Sequence, residues 1–249
     1  LWEYEFARER GGWRGFGDIV QKDNILLIST LTALFSFDLE TRSIIWSLVY
    51  KDIGEDGNNT LGIIDDFVYT ELSTGIYASI GYQCKLVRFN IFTGQREDVY
   101  QYKHPNSWSV SYSQPAQYID PASGDTILLF KRYYSSPKDG PKMPSDLCAY
   151  NLTKKDVLWE KIAFSPLSSS EFYPSNIVGD DALVVSDNSV YKYNTMTGEL
   201  LWKRTLGSNP NTWLGYFLNA KPTLYEGKLF LQENGKGFYC IDADTGNLL

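Results

Sequence analysis

The sequence has little histidine, methionine or cysteine and no long apolar run. In 249 residues there are one His, two Met and three Cys. The lone His104 stands beside Pro105 with no nucleophile in its motif, so it reads as a solvated loop residue rather than a catalytic base. Cys84, Cys148 and Cys240 are odd in number, far apart and outside any metal-ligand spacing. They read as small buried hydrophobes, and redox compartment is not legible from them. No apolar stretch is long enough for a membrane-spanning helix. There is no signal peptide and no initiating Met, so the native N-terminus, with its targeting information, is expected to lie upstream of Leu1. No G-x-S-x-G, Walker or dinucleotide fingerprint occurs. Basic residues are also in deficit: 23 Lys and Arg face 30 Asp and Glu, a net charge of −7. An acidic chain repels phosphate backbones, so nucleic acid is not an expected partner.

What is present is apolar and aromatic. The chain is 43% hydrophobic and 15% aromatic, with 18 Tyr, 13 Phe and 7 Trp. That supports a sizeable core and excludes a disordered chain. Flat rings pack well on pleated surfaces, which favours strands. The length suits one large all-β domain or two small ones.

One phrase recurs: an apolar strand, Asp or Asn, a short turn, then a strand carrying Trp. It runs Leu34–Asp38 to Trp46, Leu86–Asn90 to Asp98, Leu147–Asn151 to Trp159, Val190–Asn194 to Trp202, and Phe238–Asp242 to Leu249. The second copy has Asp98 where Trp falls in the others, and the third has Lys154-Lys155 where others have Thr-Gly. Asp or Asn opens such a turn by accepting from backbone amides two residues on. The closing Gly takes a positive φ without a Cβ clash. Apolar runs on both sides make the phrase a β-hairpin. Two more strands precede it, as in Ser175–Val178 and Ala182–Val185, so each unit reads as four up-and-down strands.

The pattern aromatic-Asp-x-x-Thr-Gly-x-x-x-Trp resembles the pyrroloquinoline-quinone (PQQ)-like repeat of quinoprotein dehydrogenases and of non-enzymatic scaffold propellers of the bacterial periplasm. Five copies in phase cover nearly the whole chain. The resemblance implies an all-β fold, a β-propeller of five four-stranded antiparallel blades in one domain, 1–249. The blades are expected at about 17–50, 60–101, 115–162, 174–205 and 220–249. Segment 1–6, which holds Leu1-Trp2-Glu3, would supply the outer strand of the last blade and close the ring. The rival reading is an excerpt from an array of six to eight blades. The turn residues lie 52, 61, 43 and 48 apart, and the two long spacings are read as insertions at about Glu71–Gln83 and Lys131–Ser145. The second, from Tyr133 to Pro144, looks too rich in Pro and Gly to be strand.

The resemblance carries the fold and not the redox chemistry. Quinone-binding relatives use an adjacent cysteine pair, and none occurs here. No cofactor, metal or catalytic residue is expected, and the chain is read as not an enzyme. Asp65-Asp66 and Asp180-Asp181 read as turns rather than glycosidase pairs. Asp242–Gly246 reads as a turn rather than a calcium loop. Asn58-Asn59-Thr60 and Asn151-Leu152-Thr153 match the glycosylation tripeptide, a match common by chance.

The segments entering the inner strands are aromatic. They hold Trp13, Arg14 and Phe16, then Trp108 and Tyr112, then Phe172 and Tyr173, then Trp213, Tyr216 and Phe217, with Arg10 and Lys221 nearby. These connections cross one face of a disc, and aromatic and Arg groups are what binding hot spots are made of. The expected function is a binding scaffold that docks another protein on that face. A packing role between blades is the competing account. A carbohydrate-binding or glycan-processing propeller and an immunity-type protein that blocks a toxin are the alternatives. Localisation is unknown from the residues; the resemblance favours the periplasm or cell envelope.

Overall fold

A computed structural model gives the fold. It describes residues 16–30, 32–57, 61–74, 83–103, 109–135, 144–165, 176–186, 189–206, 222–233 and 237–249. These residues form five antiparallel sheets in chain order. Blade 1 is β1 (Phe16–Lys22), β2 (Ile25–Thr30), β3 (Ala33–Asp38) and β4 (Ser43–Val49). Blade 2 is β5 (Glu55–Gly57), β6 (Gly62–Ile64), β7 (Phe67–Thr74), β8 (Gln83–Asn90) and β9 (Arg96–Gln101). Blade 3 is β10 (Ser109–Tyr112), β11 (Ala116–Ile119), β12 (Thr126–Ser135), β13 (Ser145–Asn151) and β14 (Asp156–Ser165). Blade 4 is β15 (Asn176–Val178), β16 (Asp181–Ser186), β17 (Ser189–Asn194) and β18 (Leu200–Thr205). Blade 5 is β19 (Thr223–Tyr225), β20 (Lys228–Glu233) and β21 (Gly237–Asp242).

Each sheet runs in sequence order, so the chain goes up and down and steps to the next blade. In blade 3 the first strand is split, with β10 and β11 both pairing along β12. Pro115 lies between the pieces and has no N–H to give the ladder. The two expected insertions are corrected. β7 runs in register with β8 out to Thr74 opposite Gln83, and β12 runs on to Ser135. Glu71–Thr74 and Lys131–Ser135 are therefore strand, because Tyr133-Tyr134 continues the ladder before the first proline at 137. Blade 5 has three strands among the described residues, and Ile241 bridges Leu248 where a fourth begins. Segment 1–6 lies outside the described residues.

Buried side chains fall into four clusters, each spanning one junction between neighbouring blades. Leu27 and Leu34 meet Val68 and Phe89 across junction 1–2. Leu86 and Val99 meet Leu128 and Phe130 across 2–3. Leu129 and Ala149 meet Val184 and Tyr193 across 3–4. Leu183 and Val190 meet Leu229 and Ile241 across 4–5. Alternation along each strand does this, since successive side chains face opposite sheets.

The repeated phrase is the turn between third and fourth strands. Asn194 shows its physics. Its Oδ1 accepts from Met196 N at 3.2 Å and Thr197 N at 2.9 Å, and the Gly198 amide closes on Asn194 O at 2.9 Å. Asn90 and Asp242 are built the same way. Four residues after each Asx the backbone is left-handed: Arg42, Gly94, Lys155, Gly198 and Gly246 have φ of 57°, 71°, 60°, 69° and 71°. In four blades the amide that follows the Asx also donates to the turn between the first two strands, for example Leu39 to Asn24 O at 2.8 Å, and in blade 3 Leu152 donates to Thr126 O at the start of β12.

Asn151 is 2% exposed and its Nδ2 donates to Asp125 at 3.0 Å, so this tripeptide does not present a glycosylation site. The Asx at 242 forms the expected turn.

Candidate functional site

The outer strands explain what the Trp of the phrase is for. Trp46 Nε1 donates to Ile91 O of blade 2 at 2.9 Å, Trp159 to Thr195 O of blade 4 at 2.8 Å, and Trp202 to Asp244 O of blade 5 at 2.9 Å. Each indole lies on the closing glycine of the neighbouring turn. A Cβ on Gly94, Gly198 or Gly246 would come within 2.9, 2.7 and 2.9 Å of that ring. Glycine is thus required there twice, once for its φ and once for the space above it.

Polar clasps repeat at the same end of the blades. Lys22 of blade 1 reaches Asp66 at 2.7 Å, and Gln117 of blade 3 donates to Asp65 at 2.6 Å. Tyr118 donates to Asp180 of blade 4 at 2.8 Å, and Lys192 pairs with Asp244 of blade 5 at 3.3 Å. Asp65, Asp66 and Asp180 sit in turns as expected, while Asp181 opens β16, and each pair also clamps a neighbour.

The opposite end carries the hairpins between second and third strands and the connections from each outer strand to the next inner strand. Of the expected binding-face residues, Phe16 lies in β1 and Tyr112 in β10. Trp13, Arg14, Trp108, Phe172, Tyr173, Trp213, Tyr216 and Phe217 lie outside the described residues, as does His104. Phe16 opens β1 opposite Thr30. Tyr112 is placed fully, and it does not stand on the face. It is 2% exposed in the junction 2–3 core, where its hydroxyl accepts from Tyr102 N at 2.8 Å and its amide donates to Glu71 at 2.6 Å. It packs between blades.

Beneath this end, between blades 2 and 3, lies a polar cluster that the sequence reading missed. Arg132 on β12 is fully buried. It donates to Asp146 at 3.0 Å, to Glu160 at 2.5 Å and to the Tyr100 hydroxyl at 3.0 Å. Its guanidinium lies 4.2 Å from the centre of the Tyr102 ring. Asp146 also accepts from the Tyr134 hydroxyl and from Ala163 N, the latter at 2.8 Å. That bond holds Ala163 at a φ of 51° in β14. Burial pushes Tyr100 up to about 12, and burial followed by Asp146 pushes Tyr134 higher still. Both phenols stay neutral, Tyr100 accepting from Arg132 and Tyr134 donating to Asp146. An Arg with two carboxylates and two phenols is a pedestal, since a buried cation needs such partners. The readable signal was the Phe130-Lys131-Arg132-Tyr133 run, where strand alternation continues through the charges.

Cys84 and Cys148 are 3% and 0% exposed, as expected of small hydrophobes, while Cys240 is half-buried. Burial, then Glu71, pushes the Cys84 thiol up, and burial pushes Cys148 up to about 12. Neither is a thiolate nucleophile at neutral pH. The three lie on β8, β13 and β21 of three different blades. The residues therefore do not fit the quinone cofactor of the enzymes that this repeat resembles. A small water-sized recess lies between Tyr69, Glu71, Tyr112 and Gln114. Among the described residues no group of His, Cys, Asp and Glu could hold a metal ion, and no helix is long and apolar enough to cross a membrane.

The model of the family described as outer membrane protein assembly factor BamB matches residues 108–249, from the start of blade 3 onward. The chain belongs to this family. The match agrees with the repeat read from the Asx-Thr-Gly-Trp phrases. No curated protein sequence matches the chain. Among solved structures, it is similar to a quinohemoprotein alcohol dehydrogenase, ADHIIG, from Pseudomonas putida HK5, with TM-score 0.53 and 13% identity over 93% of this chain. It is also similar to Sqt1 of Saccharomyces cerevisiae, with TM-score 0.52 and 13% identity over 92% of this chain. The chain spans 40% and 59% of those two proteins. At such identity the likeness shows the propeller fold alone.

Proposed function

We propose that this BamB-family chain is a non-catalytic scaffold that holds another protein on the end of the blades carrying the inter-blade connections. One observation carries the reading. The strand order brings every connection from outer to inner strand to one end, and in the sequence Trp108, Phe172, Tyr173, Trp213, Tyr216 and Phe217 fall between an outer strand and the next inner one, with Trp13 and Arg14 just ahead of β1. Aromatic and Arg groups gathered at one end are the composition of a protein-binding hot spot. The opposite end is spent on the turns and clasps that hold neighbouring blades together. The family description, an assembly factor, points the same way. Closure of the five blades into a ring by segment 1–6 is part of this proposal.

The test is a pair of variants. Trp108→Ala with Trp213→Ala is expected to abolish capture of the partner that wild type retains from its native extract. Leu201→Ala, on the outer strand at the far end, is expected to keep it. Retention by the Trp variants sinks the proposed face. Supplied with PQQ and calcium, the purified protein is expected to leave an alcohol unoxidised in a dye-reduction assay.

A further inference from the structure

The three Trp docks share one design, and one junction departs from it on both sides at once. At junction 2–3 the outer strand carries Glu97 in the Trp place, opposite Arg88 as Trp46 is opposite Ser36, and the receiving turn carries Lys155 in the Gly place. A Trp at 97 could not lie on Lys155 as Trp46 lies on Gly94, because a Cβ there comes within 2.9 Å of the ring. Charge fills the gap. Lys155 Nζ reaches across the junction to Glu97 at 3.8 Å. Glu97 is also held by Arg88 of its own blade at 2.6 Å. The side chains of Lys155 and Glu97 are 69% and 35% exposed.

We propose that junction 2–3 is an electrostatic seam, a joint whose turn end loosens as ionic strength rises while the Trp-docked joints do not. Exposed ion pairs are screened by salt. An indole seated on a glycine with one hydrogen bond is not. The outer strand supplies its aromatic three residues past the Trp place instead: Tyr100 packs 5.1 Å from Phe130 and 5.0 Å from Tyr150 between ring centres. The apolar core of the junction, with Arg132, therefore holds while its turn end opens. Blades 1 and 2 can tilt there against blades 3 to 5, and the tilt acts at the end opposite the proposed binding face.

Native-state hydrogen exchange reads this directly. Salt is raised from about 0.1 M to about 1 M, over which the screening length falls from ~10 Å to ~3 Å. Amides of residues 96–99 and 152–156 are expected to exchange several-fold faster, and those of the turns at 194–198 and 242–246 to keep their rates. A uniform response of all turns, or none, overturns the seam. A second measurement guards against misfolding. Glu97→Trp with Lys155→Gly together rebuild a dock, and the double variant is expected to lose the salt response. Glu97→Trp alone is expected to unfold at lower urea than the double variant. If the two substitutions add without coupling, the paired exchange of Trp and Gly is not a design and the proposal fails. None of these outcomes depends on whether the far end binds a protein.

Discussion

The turn-opening residue is the smallest unit on which this fold rests, and the blades differ in how they make it. Blades 1 and 5 use Asp38 and Asp242; blades 2, 3 and 4 use Asn90, Asn151 and Asn194. Backbone amides of Thr41 and Glu40 lower the Asp38 pKa, and those of Thr245 and Asp244, with the Thr245 hydroxyl, lower that of Asp242. A depressed carboxylate stabilises the fold above its unfolded pKa and loses that contribution as pH falls through the folded value. The window therefore lies below the ordinary 3.8. Acidification through it is expected to loosen the amides of residues 40–41 and 244–245 in NMR exchange while those of 92–93 and 196–197 hold, since Asn does not titrate. Asp38→Asn should remove the acid response from the first turn alone. Loosening of all five turns together would contradict this. The Asx residues were legible from sequence because their chemistry is local. A sixth such turn was not. Asp120 accepts from Ala122 and Ser123, and Gly124 closes on it at 2.8 Å with a φ of 74°. It joins β11 to β12, where no Trp strand follows, so the search phrase passed over it.

Strands and their junctions decide what each turn must tolerate. Gly124 and Gly198 have nearly the same φ, 74° and 69°. Nothing lies within 4 Å of a Cβ on Gly124, whereas one on Gly198 meets the Trp159 ring at 2.7 Å. Alanine at either pays for a left-handed backbone, about 1–2 kcal/mol. Alanine at 198 also displaces the docked indole, a further ~1–3 kcal/mol of overpacking. Gly198→Ala should therefore lower the urea midpoint well beyond Gly124→Ala. Equal shifts would mean that the indole does not need the glycine. Position 198 was readable as a turn glycine but not as a Trp seat, because the ring comes from residue 159 in the previous blade. The same distance hid the Arg132 cluster, whose partners come from β9, β13 and β14 and converge only in the folded sheet.

At the scale of the whole molecule, each cluster joins one blade to the next, so stability is built from nearest-neighbour junctions. Such an array has two flanks unless it closes, and the described flanks differ. Ile28 and Phe37, on the side of blade 1 turned from blade 2, are 5% and 1% exposed. Phe230 and Phe238, on the side of blade 5 turned from blade 4, are 39% and 78% exposed. Ring closure by segment 1–6 makes a specific demand on that second flank, for it must cover Phe238. Phe238→Ser then removes a ring taken out of water, a loss of about 1.5–3 kcal/mol. On an open flank the same change stays within about 0.5 kcal/mol, as surface substitutions do. Urea unfolding of the full chain separates the two, and closure requires the larger loss. The smaller one would leave the flank of blade 5 free and the five blades as a run of repeats without a ring.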